Sequence, residues 1–254
     1  MSDQAPLSFS TLDPPERSLP APYYKDSAVT LYHGDCREIL PLLETVDHVI
    51  TDPPYEAECH TEGRRVWGPG GKPIGQVIPF AQMDEDTRAA VAVQCRRLTR
   101  RWSLVFCQVE GAMLWRAVGE DAGLGYRRTC VWVKPDGKPQ FTGDRPGMGY
   151  ECIVCFHQAG RSTWNGGGRH GVFTFNKNEG GGFAAPHPTT KPDRLMRELV
   201  GLFTDPGETV LDPFAGSGST LRACKDLGRK AIGIEMDRKY CDVIVKRMAQ
   251  EVLL

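Results

Sequence analysis

The sequence predicts an α/β fold with a mixed, mostly parallel sheet and helices on both faces. Three observations support this prediction: apolar segments of strand length alternate with segments of helical spacing, two Asp-Pro pairs follow apolar strands, and an amphipathic helix closes the chain. Alternating strands and helices form parallel pairs through crossovers, and ligands of such folds bind outside the carboxyl ends of the strands. We therefore expect the functional residues at those ends.

Each element follows from local composition. Strands are predicted where short runs are apolar and rich in β-branched or aromatic residues, at residues 28–35, 47–52, 102–109, 126–135, 149–158, 208–213 and 230–237. Helices are predicted at residues 36–46, 84–100, 111–123, 187–204, 220–228 and 238–254. Pro41 interrupts the first helix, the second begins with acids and ends with bases, and glycines end the third and fifth.

Composition indicates one globular domain. The chain has 254 residues, 40% hydrophobic and 25% charged, with a net charge of −1 that gives no global argument for nucleic acid. Residues 1–27 are predicted to form a flexible arm and residues 28–254 a single folded domain. No apolar run approaches the roughly 20 residues of a membrane span, and the arm lacks the features of a secretory signal. Nine scattered Cys then favour reduced thiols in the cytoplasm.

Two long, Gly-rich, irregular segments interrupt the pattern at residues 56–82 and 159–186. Loops of that length inside a compact domain usually have a function. We expect both to leave strand ends on the ligand-binding side. They carry the cations Arg64, Arg65, Arg161, Arg169 and Lys177. The aromatic residues Trp164, Phe173 and Phe175 are equally compatible with contacts to a ligand and with a small core under the loop.

The chain contains two Asp-Pro-Pro sequences, at Asp13 and at Asp52. Asp13 follows no predicted strand, lies in the arm and lacks a following aromatic residue, so it indicates only a turn. Asp52 ends an apolar strand and is followed by Pro53, Pro54 and Tyr55. Proline has a fixed φ and no N–H, which makes this turn stiff. The second sequence is therefore the candidate for chemistry.

A second motif, "LDPFAGSGST", joins a strand to a helix through Gly216 and Gly218. Glycine allows the backbone to approach a ligand closely. Glu235 ends the next strand, where a carboxylate can accept both ribose hydroxyls of a nucleoside. Asp212 would repel a phosphate at this turn but attract a cation. S-adenosylmethionine, with a ribose, an ammonium and a sulfonium, fits this arrangement.

These motifs together resemble those of amino-group DNA methyltransferases. "DPFAGSGST" looks like their motif I, "DPPY" like motif IV and "HPTTKP", residues 187–192, like motif X, which lines the methionine end of the cofactor. The order IV, X, I resembles the β-class. The resemblance covers the chain from about Val29 to its end. It implies a circularly permuted, Rossmann-like methyltransferase fold, in which residues 28–254 form the catalytic domain and the two irregular segments recognise the target.

The resemblance assigns roles to individual residues. Asp52 and the Pro53 carbonyl would accept hydrogen bonds from an exocyclic amine, Pro54 would stiffen the turn, and Tyr55 would stack on a base extruded from double-stranded DNA. The residues expected to bind the cofactor are Asp35, His187, Thr189, Lys191, Asp212, Phe214, Ala215, Gly216, Ser217, Gly218 and Glu235. For Lys191, a solvated charge at a helix entry is an equal alternative.

The sequence leaves alternatives for the target base, the class of substrate and the oligomeric state. Asp-Pro-Pro-Tyr resembles the adenine-N6 enzymes more than the cytosine-N4 enzymes, which usually resemble Ser-Pro-Pro. Methyltransferases of RNA or protein and a nucleic-acid-binding protein without catalysis are further classes, disfavoured by the motif order and by the intact motifs. A homodimer is possible, and the enzyme could be solitary, phage-encoded or paired with a restriction enzyme.

Other polar residues are interpreted as structural. Cys152 and Cys155 point to opposite faces of a predicted strand, which disfavours a shared metal with His157 and favours core packing. Tyr150 and Glu151, at the start of the same strand, are also interpreted as structural.

Overall fold

The structure, a computed structural model, describes residues 18–54, 66–67, 73–74, 83–137, 139–140, 143–144, 146–177 and 190–250. Its strands are β1 (Tyr24–Lys25), β2 (Val29–His33), β3 (His48–Thr51), β4 (Val66–Trp67), β5 (Pro73–Ile74), β6 (Trp102–Cys107), β7 (Gly125–Val133), β8 (Tyr150–His157), β9 (Val172–Thr174), β10 (Thr209–Asp212) and β11 (Lys230–Glu235). Its helices are α1 (Cys36–Ile39), α2 (Glu85–Leu98), α3 (Val109–Asp121), α4 (Asp193–Phe203), α5 (Ser219–Asp226) and α6 (Arg238–Met248).

Nine of these strands form one sheet in the order β1-β2-β11-β10-β3-β6-β8-β7-β9. The strands from β2 to β6 pair in parallel, whereas β1 and β8 run antiparallel to their neighbours. Strands β4 and β5 form a separate antiparallel pair. The predicted mixed, mostly parallel sheet is thus confirmed, and each of the seven predicted strands is present.

The connections reverse direction between β10 and β3. From β10 the chain passes through α5 to β11 on one side, and from β3 it passes through α2 to β6 on the other. A crevice forms at such a topological switch point, outside the carboxyl ends of the strands. The switch point lies between the two strands that carry the Asp-Pro motifs.

Helices cover both faces because the strands are apolar on both sides. Leu104 and Phe106 of β6 belong to a core with α4, α5 and α6, while Val105 and Cys107 belong to a second core with α1, α2 and α3. Successive side chains of a strand point to opposite faces, so one buried strand supplies both cores.

Two predicted local features are wrong. The helix predicted at residues 36–46 is only the four-residue α1, followed by a 3-10 turn at Leu40–Leu42, because Pro41 cannot donate to an α-helical ladder. The predicted boundary of the flexible arm at residue 27 is also wrong, since β1 pairs with β2 and Asp26 forms an ion pair with Lys225 at 2.6 Å.

The irregular segment predicted at residues 159–186 is divided by β9. Because β8 runs antiparallel, the chain leaves it beside Trp102, at the amino end of β6. Trp102 Nε1 donates to the Thr163 carbonyl at 2.8 Å, and Asn165 N donates to the Leu202 carbonyl at 2.7 Å. The first half of the segment therefore lies at the edge opposite the crevice, and the expectation that the whole segment faces the ligand is wrong. The chain returns through β9.

Gly119 provides a test of the packing between α3 and β8. A Cβ at this position would lie 2.5 Å from ring atoms of the buried Phe156. We expect Gly119→Ala to lower the free energy of unfolding by about 1–3 kcal/mol through overpacking, measured by urea denaturation followed by circular dichroism.

Gly201→Ala in α4 is the matched control. A Cβ there meets nothing within 4 Å, so we expect a gain of up to about 1 kcal/mol from helix propensity. A Gly119→Ala protein as stable as the parent protein would contradict the packing described here.

Candidate active site at the carboxyl edge of the sheet

Three carboxylates meet at the carboxyl edge of the parallel strands. Asp52 follows β3 directly, Asp212 is the last residue of β10, and Glu235 is the last residue of β11. The parallel pairings of β10 with β3 and with β11 place all three strand ends side by side. The predicted convergence of the two motifs is therefore observed.

The glycine motif forms a tight turn between β10 and α5. Gly216 and Gly218 have φ values of 52° and 79°, in the left-handed region that favours glycine. Gly218 N donates to the Ala215 carbonyl at 2.7 Å, and Ala215 N donates to the Ile234 carbonyl at 2.9 Å. The turn is thus fastened to β11, and among the described residues a Cβ on Gly216 would meet only the Phe214 carbonyl oxygen, at 3.9 Å.

Asp212 is buried below this turn. Its Oδ1 accepts from the Thr51 hydroxyl at 2.8 Å and from Phe214 N at 3.1 Å. Burial raises the pKa of Asp212 to about 6, and hydrogen bonds from Thr220 and Thr51 limit that rise. The Thr51 bond links the ends of β3 and β10, and so it joins the two motifs directly.

Glu235 lies beside the same turn. Its Oε2 accepts from Gly216 N and its Oε1 from Asp237 N, both at 2.8 Å. Burial raises its pKa, and the two backbone donors oppose the rise. A carboxylate oxygen has two acceptor positions, so a carboxylate held in this way can still accept hydroxyl groups.

Asp52 forms an ion pair with Lys191, whose ammonium donates to Asp52 Oδ2. The other oxygen, Oδ1, is buried and has no hydrogen-bond partner within the described part of the chain. Burial raises the pKa of Asp52, while the Lys191 charge lowers it. Oδ1 is consequently a buried acceptor whose hydrogen bond is not made within the described residues.

Two residues that the sequence did not select complete this half of the site. Glu151, at the start of β8, forms ion pairs with Lys134 and, at 3.4 Å, with Lys191. Lys134 directly follows β7. The interpretation of Glu151 as a purely structural residue is incomplete, since it contacts the lysine that holds Asp52. The signal that could have found these two residues is the pairing of consecutive strands: in an antiparallel pair, the end of β7 lies beside the start of β8, so Lys134 is close to Glu151.

The remaining predicted residues are placed as follows. Pro53 is buried and Pro54 is half-buried. Asp35 caps α1 and binds the Arg37 guanidinium, which lowers the pKa of Asp35. Ser217 is buried in the glycine turn. Tyr55, His187 and Thr189 lie outside the described residues, so their roles stay predictions.

Lys191 was expected to contact the methionine end of the cofactor or to be a solvated charge. It is buried, with its side chain 4% exposed, and it pairs with Asp52 and Glu151. The solvated alternative is therefore wrong.

Two other interpretations are decided by packing. Cys152 and Cys155 belong to the cores on opposite faces of the sheet, and within the described residues no group of three or more His, Cys, Asp or Glu could hold a metal. Phe173 is buried, and Trp164 packs against Phe203 with ring centroids 5.4 Å apart. These aromatic residues pack in or against the large core that includes α4, so they are core residues, although they do not form the separate small core that was one of the two alternatives. Arg169 is paired with Glu198 of α4.

Comparison with known proteins gives the following matches. Residues 164–246 match a family model described as DNA methylase, N6_N4_Mtase. The chain is 35% identical over 141 residues to the type II methyltransferase M.XycI of Xanthomonas campestris pv. cyanopsidis, a match covering 51% of this chain and 46% of that protein. It is 26% identical over 251 residues to the type II methyltransferase M.HinfI of Haemophilus influenzae, covering 87% of this chain and 68% of that protein. The chain thus spans less than half of the first relative.

Solved structures share the fold. The M1.HpyAVI-SAM complex superimposes with a TM-score of 0.65 at 23% identity, covering 87% of this chain and 99% of that chain. The cytosine-N4-specific PvuII DNA methyltransferase superimposes with a TM-score of 0.72 at 15% identity, covering 92% and 90%. The Rossmann-like methyltransferase fold predicted from the motifs is confirmed. Among the helices described, none is long and apolar enough to cross a membrane.

The raised pKa of Asp212 has a consequence for stability. Between the ordinary value of 3.8 and the folded value of about 6, the folded protein binds more protons at this group than the unfolded chain does. The parent protein therefore loses stability at Asp212 as pH rises through this window. Asp212→Asn does not titrate, so we expect its stability relative to the parent to increase by about 2 kcal/mol between pH 4 and pH 7.

Urea denaturation at several pH values measures this difference. Asp237→Asn is the control, because Asp237 is exposed and caps α6 at the same edge. A difference between Asp212→Asn and the parent that stays constant from pH 4 to pH 7 would contradict the assignment.

Proposed function

We propose that this chain is an amino-group DNA methyltransferase that methylates the N6 amino group of adenine at a specific sequence in double-stranded DNA, a proposal supported by its matches to enzymes of that kind. The observation that carries the proposal is the buried Oδ1 of Asp52, beside a glycine turn with two further carboxylates. The whole protein's substrate and partners are part of the proposal, since the chain spans 46% of the first relative.

The glycine turn and its carboxylates fit S-adenosylmethionine. Glu235 offers acceptor positions for ribose hydroxyls, the left-handed Gly216 has open space where a Cβ would stand, and Asp212 favours a cation. When bound, S-adenosylmethionine supplies the methyl group as an electrophilic substituent of sulfur. Asp35, Phe214, Ala215, Ser217 and Gly218 border the same edge and belong to the proposed cofactor site, together with His187, Thr189 and Lys191.

Asp52 acts on the nucleophile. The lone pair of an exocyclic amine is delocalised into the base ring, so the amine attacks poorly unless its N–H groups are held by acceptors. Asp52 Oδ1 and the Pro53 carbonyl are the proposed acceptors, and Pro54 keeps their turn stiff. The nitrogen gains a bond to carbon and must lose a proton, for which Asp52 Oδ1 is the nearest proposed base. Tyr55 is proposed to stack on the extruded base.

DNA is proposed to approach the carboxyl edge. The described chain reaches this edge at Pro54 and again after β9, where Lys177 N donates to Asp136 Oδ1 at 2.8 Å. The segments that continue from these points are residues 56–82 and, within the predicted segment 159–186, residues 178–186, and these are the proposed target-recognition segments. Residues 159–168 are excluded from the proposal, because they lie at the opposite edge.

The second candidate is methylation of cytosine N4. The same acceptor pair serves both amines, and the cytosine-N4-specific PvuII enzyme shares the fold with a TM-score of 0.72. The adenine proposal rests on the Asp-Pro-Pro-Tyr sequence. A homodimer stays a prediction, and a cytoplasmic location in a bacterial or phage-infected cell accompanies the proposal, as the bacterial relatives suggest.

Mass spectrometry of DNA from cells that express the protein separates the two candidates. After digestion to nucleosides, we expect N6-methyladenine from the parent protein. Asp52→Asn should abolish the product, because a carboxamide is a weaker acceptor and cannot take the proton. N4-methylcytosine as the only product would overturn the adenine assignment, and equal product from Asp52→Asn would remove Asp52 from catalysis.

Calorimetric titration with S-adenosylhomocysteine tests the cofactor site. We expect Glu235→Ala to weaken binding by about 1.5–3 kcal/mol, the usual value for hydrogen bonds to a charged group. Asp52→Asn is the matched control, since its side chain is assigned to the target amine and should leave this affinity largely unchanged. An unchanged affinity in Glu235→Ala would exclude Glu235 from the cofactor site.

A further inference from the structure

Four charged side chains of alternating sign form a row at the carboxyl edge: Asp52, Lys191, Glu151 and Lys134. They come from four places in the chain, namely the ends of β3 and β7, the start of β8 and the residues before α4. The side chains are 26%, 4%, 8% and 11% exposed, respectively. We call this set the charge row. Buried charges are costly unless they are paired, so such a row is unusual in a purely structural position.

We propose that Lys191 and Glu151 are positioning residues that hold one oxygen of Asp52 and present the other, as a bare carboxylate oxygen, to the target amine. The inference rests on the proposed function of Asp52. The ion pairs of Lys191 would orient the Asp52 carboxylate before the base binds, and they would therefore contribute to the reaction.

Lys191 makes the two oxygens of the Asp52 carboxylate different from each other. The two oxygens of a carboxylate are equivalent until one is fixed. Lys191 binds Oδ2, and the buried Oδ1 has no partner among the described residues. The ammonium lies over the ring of Phe106, with Nζ 5.1 Å from the centroid, and that ring is fully buried. Lys191 is thus confined from below, and the orientation of Asp52 is set before a ligand binds.

Lys191 also affects the protonation state of Asp52. A neutral carboxyl group carries a proton and becomes a hydrogen-bond donor, and it can no longer take the proton that a methylated amine loses. Burial favours that neutral form, whereas the adjacent ammonium favours the carboxylate. Removing Lys191 should therefore raise the pKa of Asp52 further and favour its neutral carboxylic acid form.

Glu151 and Lys134, the other two members of the charge row, limit the effect of Lys191 on Asp52. If Lys191 paired with Asp52 alone, its full charge would fall on one carboxylate and weaken it as a base. Glu151 shares the ammonium at 3.4 Å, and Lys134 compensates the charge of Glu151. Two cations and two anions leave the row neutral overall. Asp212 is the carboxylate across the switch point; the charge of Asp52 raises the pKa of Asp212, and the described donors to Asp212 Oδ1 are the Thr51 hydroxyl and Phe214 N rather than a lysine.

The decisive experiment is the pH dependence of single-turnover methylation with the full chain and saturating cofactor. Activity should fall as pH drops and Asp52 becomes protonated. In Lys191→Met we expect this fall to occur about 1–3 pH units higher than in the parent, the usual effect of losing an adjacent opposite charge. Lys191→Arg should restore most of the parent profile, and Glu151→Gln should shift the fall to lower pH.

Lys225→Met is the matched control, because Lys225 is also an ion-paired lysine, half-buried, and it pairs with Asp26 away from this edge. Its pH profile should match the parent. Circular dichroism and urea denaturation confirm that each variant is folded. A lower rate in Lys191→Met with an unshifted pH profile would overturn the proposal and leave Lys191 with only a structural role.

A second readout separates this inference from the proposed function. With aspartate labelled by carbon-13 at the side-chain carboxyl, the Asp52 resonance is assigned by its loss in Asp52→Asn. Its titration should move to higher pH in Lys191→Met, whether or not the protein methylates DNA. An inactive parent protein would refute the proposed function alone, whereas an unmoved Asp52 titration would refute the positioning role alone.

Discussion

The parallel pairing of β3 with β10 is the constraint on which the site depends. These strands are separated by more than 150 residues of chain, yet Leu211 lies opposite Val49, and Thr51 at the end of one strand donates to Asp212 at the end of the other. This one pair of strands thus places the Asp-Pro-Pro turn at Asp52 next to the glycine turn at Gly216 and Gly218. Because the connections leave this pair in opposite directions, the crevice above it stays open.

The edge is divided by the way its carboxylates are satisfied. Asp212 and Glu235 accept from backbone N–H groups and hydroxyls, and they keep their negative charge without a lysine in those bonds. Asp52 instead has an ammonium on one oxygen. The first half of the edge therefore attracts a cation, while the second half offers a single oriented acceptor. This division matches the two partners of a methyl transfer, a cationic donor and a neutral amine.

The sequence predicted this edge well where parallel strands end. Asp52, Asp212 and Glu235 each follow an apolar strand, and the carboxyl ends of parallel strands meet at one edge, so their proximity could be deduced. The direction of β8 could not be read from its apolar pattern, which is the same in either orientation. Because the direction of β8 was unknown, the contact of Glu151 with Lys191 was not predicted, and residues 159–168 were assigned to the wrong edge of the sheet. The first predicted helix was too long, because Pro41 limits α1 to one turn and the chain continues as a 3-10 turn.

The reversed strand β8 also determines when the site can form during folding. Glu151 reaches Lys191 only after the β7–β8 hairpin has docked against β6, and Lys191 reaches Asp52 across 139 residues of chain. Contacts of such separation form late, since a large loop must close before they are gained. A partly folded chain can therefore hold β10, β11 and the glycine turn together before it possesses a prepared acceptor. Cofactor affinity should consequently appear earlier in refolding than catalytic competence.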